Sequence, residues 1–381
     1  FLPSFLPFFL SFFLSFFLNL SRVLFLSFLI SSFGIAHNAI LFKKLKVKQR
    51  GIIDVVAVSV SGGVGLIFAL LGFAYWGLAI QLVSQCLVAT LLRWYFSGWR
   101  PTLSFDLSPI KEMFGFSSKI LFNNILGQVN MNIFSVLLGK FYTDTDTGYY
   151  SQGNKWMVLG NMTISNMIQG VAQPVLVEVA DDKERQKKVF RKMLRFGAFI
   201  SFPVLLGLAF VAKEFILLTV GEKWLNSVPY LQILTIAYSF SFITNLYWAI
   251  LFSHGKSNII LYVSSTFYGL NLLLALFLAS YGIFPMIIGC SALTLLLNFG
   301  WHFCGKKYIG IQTIELLRDI SPYLLLVFFC FSISWFATIG INNLYYLLTA
   351  KIVIVAVLYI LILWLTRSVV LRESISFIFK K

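Results

Sequence analysis

SSKILFNNILGQVNMNIFSVLLGK, residues 117–140, is long and apolar enough to cross a bilayer. Yet from Phe122 to Phe134 five of the thirteen residues are carboxamides: Asn123, Asn124, Gln128, Asn130 and Asn132. Lipid offers such groups no hydrogen bond, so a helix that carries them must turn them toward protein or water. The rest of the chain fixes the class. Hydrophobic residues make up 59% of the 381 and charged residues 12%, against about 25% charged in a soluble domain. Mean hydropathy is +0.87. Apolar runs recur near 3–18, 21–41, 51–72, 75–95, 117–140, 147–175, 196–219, 229–253, 258–280, 283–303, 320–339 and 344–366. These features predict an all-α polytopic membrane protein with about twelve visible spans.

Net charge is +16, but the basic residues sit in short loops between apolar runs, which argues against a nucleic-acid partner. Alternate loops (43–50, 93–119, 181–195, 254–257, 305–318 and the tail from 367) hold 24 of the 30 Lys and Arg. The intervening loops hold very few. By the positive-inside rule the basic loops and the C-terminus are cytoplasmic. KEFILLTVGEKW (213–224) is expected to lie as a short helix at the outer interface, and the aromatics of GYYSQGNKW (148–156) to anchor there.

The four cysteines (Cys86, Cys290, Cys304, Cys330) have neither metal-ligand nor redox spacing and read as small buried hydrophobes. The three histidines are scattered, no carboxylate pair is evident and the outward loops are short. A membrane polymerase, ligase or glycosyltransferase therefore fits poorly, and neither cofactor nor metal is expected. Asp54 is expected to pair with Arg50, SVSGGVG (59–65) to allow close helix packing, and Pro174 and Pro203 to kink their helices.

The order of motifs carries a resemblance. IAHNAILFKKLKVKQRGIIDVVAVSVSGG (35–63) precedes GLIFALLGFAYWGLAIQLV. RPTLSFDLSPIKEMFGFSSKIL (100–121) precedes a polar span ending LLGKFYTDTDTGYYSQGNKW. VAQPVLVEVADDKERQKKVFRKMLR (171–195) and GEKWLNSVPYLQIL (221–234) follow. Together they resemble the polysaccharide-biosynthesis flippases, or O-antigen (lipopolysaccharide) transporters, of the multidrug/oligosaccharidyl-lipid/polysaccharide exporter superfamily. The resemblance implies fourteen spans in two pseudo-symmetric lobes, with this chain N-terminally truncated and residues 1–18 standing where the third span belongs. It implies a partial N-terminal lobe (1–95), a linker (96–116), a C-terminal lobe (117–303), and two peripheral helices with a cytoplasmic tail (304–381). It further implies transport, not catalysis, in the bacterial inner membrane. The cargo would be a polyprenyl-pyrophosphate-linked oligosaccharide, and the partners membrane lipid, a polysaccharide polymerase and chain-length machinery. A small-molecule or drug antiporter of the same superfamily is the alternative.

Such a cargo calls for amides toward sugar hydroxyls and cations toward pyrophosphate. At 3.6 residues per turn, Lys119, Asn123 and Asn130 fall within roughly 40° of one another, while Asn124, Gln128 and Asn132 lie on a second face roughly 140–220° round. On the next span Lys155, Asn166, Gln169 and Gln173 share an arc of roughly 60°. The expected substrate-binding set is therefore Lys119, Asn123, Asn130, Lys155, Asn166, Gln169 and Gln173, with Lys155 as its main charge. Asn124, Gln128 and Asn132 are expected to hold helices together.

Overall fold

A computed structural model of the chain describes residues 18–102 and 106–373. The span read at 3–18 lies outside the described residues. Among those described no strand occurs, and the helices are α1 (Leu18–Ser32), α2 (Ile35–Lys43), α3 (Val47–Leu70), α4 (Ala74–Ser97), α5 (Ser108–Phe141), α6 (Asp144–Glu178), α7 (Lys183–Ser201), α8 (Gly207–Phe210), α9 (Ala212–Thr219), α10 (Val228–Tyr238), α11 (Ser241–Ser253), α12 (Ser257–Leu278), α13 (Ile283–Ile309), α14 (Thr313–Thr338) and α15 (Leu344–Leu365). Nine helical spans among the described residues are long and apolar enough to cross a membrane, and the pair α1–α2, bent by 44°, makes a tenth. The chain is an all-α polytopic membrane protein. At 35 residues α6 is easily long enough, but it is too polar to count among them.

Caps fix where several spans start. The Thr143 hydroxyl accepts from the Asp146 N–H at the start of α6, where Asp144 and Asp146 also favour the positive end of the helix dipole. Asp182 accepts from the Arg185 N–H to open α7. Gln312 and Glu315 form a reciprocal capping box on α14. The Asp182 cap explains a boundary that hydropathy missed. The basic run 183–195 is itself helical, so this span runs Lys183–Phe210 and not 196–219. Pro203 lies in a π-helical turn, Phe202–Leu206, joining α7 to α8; it has no N–H to give the regular ladder.

Two compact units divide between Asp106 and Leu107. In the first, α3 and α4 form a hairpin around Leu41, Ile53, Ala57 and Ala89. Gly65 is where the helices approach: a Cβ there would stand 2.6 Å from the Gln81 amide oxygen. Gly62 and Gly63 face open space, so only part of SVSGGVG packs closely. Asp54 shares a small cavity with Asn38, Arg50 and Arg93. It makes no ion pair within 4.0 Å among the described residues, and Arg50 instead stacks over Phe42 at 5.0 Å. The expected Asp54–Arg50 pair therefore does not form.

The second unit holds α5–α15. Here α5 packs on α12, α6 on α10 and α11, α12 on α13, and α13 on α10 and α11. Two dry clusters result. One gathers Phe190, Phe202, Phe242, Tyr247 and Trp301 with buried residues of α14 and α15. The other gathers Leu138, Tyr150, Met157, Ile216, Leu231 and Met286. Tyr150 turns inward onto Phe134 and Tyr230, and Trp156 packs edge-on against Phe215. Tyr150 is thus a core residue, while Tyr149 and Trp156 stay half-buried. KEFILLT is the short helix α9, but its Glu214 is buried.

Candidate functional site

Five walls, from α5, α6, the α10–α11 segment, α12 and α13, enclose a cavity of about 540 Å³. A smaller cavity of about 190 Å³ adjoins it, sharing Asn130, Asn161, Tyr238, Phe267 and Thr294. The larger volume is that of a small-molecule site, about 300–1,000 Å³. No Asp, Glu, Lys or Arg lines either space among the described residues. Carboxamides and hydroxyls supply the polarity.

Helix α6 contributes Asn154, Asn161, Ser165 and Gln169, which fall within roughly 80° of one another at 3.6 residues per turn. Several amides are tied across helices. Gln169 donates to the Asn245 oxygen (3.0 Å), and Asn245 donates to Ser165 Oγ (2.9 Å). Ser241 donates to Asn161 (2.6 Å), Thr244 to Asn298 (2.7 Å), and Asn271 to Asn130 (3.2 Å).

Other polar atoms are sealed from solvent with no partner. Asn123 Oδ1, Asn298 Nδ2 and Trp248 Nε1 belong to the larger cavity's lining, and Asn271 Oδ1 to the smaller one's. A buried orphan of this kind costs about 1–3 kcal/mol. Four in one place make a site that water or a polyhydroxylated ligand would complete. Both donors and acceptors are on offer, which suits hydroxyls better than an ion of either sign.

Of the expected residues, the structure brings Asn123, Asn130 and Gln169 into this lining. Lys155 and Asn166 are exposed, Lys119 and Gln173 are half-buried, and none of the four borders either cavity. The reason is azimuthal. Met157, Ile164 and Ile168 bury the face of α6 roughly opposite Lys155, so the cavity takes the flank beside that apolar face. Lys155 Nζ instead lies over its neighbour Trp156, 5.9 Å from the ring centre. On α5, Asn124 and Gln128 also reach the lining, while Asn132 donates to the Gln128 carbonyl at 2.8 Å. The sequence reading missed Asn161, Ser165, Thr244, Asn245, Asn271 and Asn298. The i, i+4, i+8 spacing of Asn161, Ser165 and Gln169 was the available signal.

A helical unit with an amide-lined cavity that no charged side chain borders among the described residues marks a polytopic membrane protein with a polar interior. Residues 10–229 match the family model described as "Polysaccharide biosynthesis protein", and the chain belongs to that family. It is 28% identical over 264 residues to the teichuronic acid biosynthesis protein TuaB of Bacillus subtilis (strain 168), covering 67% of this chain and 54% of TuaB. It is 29% identical over 223 residues to the lipopolysaccharide biosynthesis protein WzxC of Escherichia coli (strain K12), covering 57% and 44%. To the succinoglycan biosynthesis transport protein ExoT of Rhizobium meliloti (strain 1021) it is 22% identical over 218 residues, covering 57% and 44%. The matched part of the chain thus spans about half the length of these relatives.

Proposed function

We propose that this chain belongs to a flippase that carries a polyprenyl-pyrophosphate-linked oligosaccharide across the bacterial cytoplasmic membrane for surface polysaccharide synthesis. Alternating access between two lobes would move it, with the C-terminus cytoplasmic. The observation that supports this most is the cluster of unpartnered amide and indole groups in an uncharged intramembrane cavity, in a family named for polysaccharide biosynthesis. Asn123, Asn130 and Gln169 are assigned to the sugar hydroxyls, together with Asn161, Asn245 and Asn298.

Lys155, Asn166, Gln173 and Lys119 are assigned to the headgroup on a second, more open face. Lys155 stands eleven residues into α6, roughly 16 Å from its outer end at 1.5 Å per residue. An exposed ammonium on a membrane helix is costly against lipid chains, a cost that a water-filled passage would relieve. A drug antiporter for cations is disfavoured because no carboxylate lines either cavity among the described residues. An enzyme is disfavoured by the same lack of an acid or base.

The test is complementation of a flippase-null strain, reading surface polysaccharide against membrane protein level. Asn298→Leu and Asn245→Leu are expected to lower polysaccharide several-fold at unchanged protein level. Undiminished polysaccharide in both variants would remove the cavity from the transport path.

A further inference from the structure

Far from the amides in character, a cavity of about 580 Å³ opens between α7, α14 and α15. Its polar side carries three arginines, Arg191, Arg195 and Arg318, against one carboxylate, Asp319. Its apolar side is Pro322, Leu326, Ile362 and Leu363. Charge and grease meet in one groove.

The arginines are not equally satisfied. Arg191 is saturated: its guanidinium takes both Asp319 oxygens (2.7 and 3.1 Å) and Glu315 (3.3 Å). Asp319 is thereby spent. Arg195 reaches it only at 3.8 Å and otherwise donates through Nε to the Arg191 carbonyl at 3.2 Å, which leaves its two terminal nitrogens unused. Arg318 has no hydrogen bond or ion pair among the described residues. Pro322, one turn on in α14, has no N–H for the Arg318 carbonyl. Beside the groove, Leu325, Trp364 and Leu365 are more than 60% exposed on the outer surface of the helices, a surface suited to acyl chains. The groove lies at the basic end of the unit, near the 181–195 run, where anionic lipid faces a cytoplasmic leaflet.

We propose that this groove binds an anionic glycerophospholipid. Arg195 and Arg318 take the phosphodiester, as planar forks suited to paired oxygens, and an acyl chain lies along Leu326, Ile362 and Leu363. The bound lipid bridges α7 to the peripheral pair α14–α15 at the membrane surface. A guanidinium pair meets phosphate of any origin, so the test must separate a lipid from a free anion.

Full-length protein is purified, stripped of lipid and challenged with phosphatidylglycerol, phosphatidylcholine or soluble glycerol 3-phosphate. Native mass spectrometry counts bound lipid and the thermal midpoint reports its effect. Phosphatidylglycerol is expected to stay bound and raise the midpoint at concentrations where phosphatidylcholine and glycerol 3-phosphate do neither. Arg195→Gln with Arg318→Gln should abolish that preference several-fold or more. Leu326→Trp, which fills the apolar side and leaves the arginines, should reduce retention too. Lys192→Gln, outside the groove and paired with Glu373 at 2.8 Å, should change neither. Equal retention of both lipids, survival of the preference in the double variant, or an equal response to glycerol 3-phosphate would each overturn the proposal. A double variant that elutes as aggregate leaves the decision to Leu326→Trp and to the lipid comparison on the unmodified chain.

Discussion

Lys351, on α15, places its ammonium 2.6 Å from the carboxylate of Glu214, on α9, and both side chains are buried. The Phe210 and Trp335 rings flank the same ammonium at 5.0 and 5.2 Å. This is the only ion pair among the described residues in which both side chains are fully buried, and it ties the last span to the short helix after α8.

Breaking one side of that pair leaves a bare charge in low dielectric. Lys351→Met alone is expected to destabilise by about 3–5 kcal/mol, while Lys351→Met with Glu214→Leu together should be near neutral or stabilising. A double-mutant cycle on detergent thermal midpoints measures the coupling. Additive losses would mean the pair carries no interaction.

The unpartnered amides set stability against function. Asn123→Leu removes a sealed polar atom that lacks a partner, so it should leave the thermal midpoint unchanged or raise it, by up to about 1–3 kcal/mol. Thr244→Val should behave differently. Its hydroxyl holds the Asn298 oxygen, and its loss strands a second atom and lowers the midpoint.

Two glycines mark where helices leave no room for a methyl group. A Cβ on Gly197 would lie 2.7 Å from the Phe242 ring, and one on Gly305 would run into the Tyr247 ring. Both rings are fully buried. Gly197→Ala and Gly305→Ala are each expected to cost about 1–3 kcal/mol by overpacking, read as a lowered midpoint. Gly207→Ala, facing open space, is the neutral control.

Thr145 and Lys188 are both exposed and sit at opposite ends of the α6–α7 pair. Cysteine placed at Thr145 should react with an impermeant maleimide in intact cells, and cysteine at Lys188 only after permeabilisation. The reverse pattern would invert every loop assignment made from charge.

His254 lies between α11 and α12, with Nε2 3.1 Å from the oxygen of the buried Gln186 and its ring against Tyr308. Burial, then Lys256, then Lys183, hold its pKa below the ordinary 6.5. The unfolded chain thus binds the proton more readily than the folded one. The stability conferred by neutral His254 is full above pH 6.5 and is lost as pH falls through the folded pKa. His254→Gln should flatten that part of the pH profile below 6.5. An unchanged slope would assign the acid sensitivity elsewhere.

The spans were legible because hydropathy is a property of the chain alone. Eleven of the twelve apolar runs fall on described helices, and the twelfth lies outside the described residues. The cavity was only half legible. A wheel gives angles within one helix but not which angle faces inward, and on α6 that choice is made by Met157, Ile164 and Ile168. Placing that apolar face first puts Asn161, Ser165 and Gln169 on its flank and Lys155 roughly opposite. On α5 the two faces that looked separate both border the cavity, one through Asn123 and Asn130 and the other through Asn124 and Gln128. Glu214 and Lys351 are 137 residues apart, and no local pattern pairs them.

Helix α6 is long enough to span the bilayer but too polar to partition there alone, which bears on how the chain is made. A segment of that kind enters lipid more readily when a neighbouring helix offers its amides hydrogen-bond partners. Its hydrogen-bond partners come later in the chain, since α11 supplies the groups that meet Asn161, Ser165 and Gln169. During synthesis α6 therefore gains these partners only after some seventy further residues have emerged. The same amides that furnish the chamber thus tie the settling of α6 in the membrane to a helix made after it.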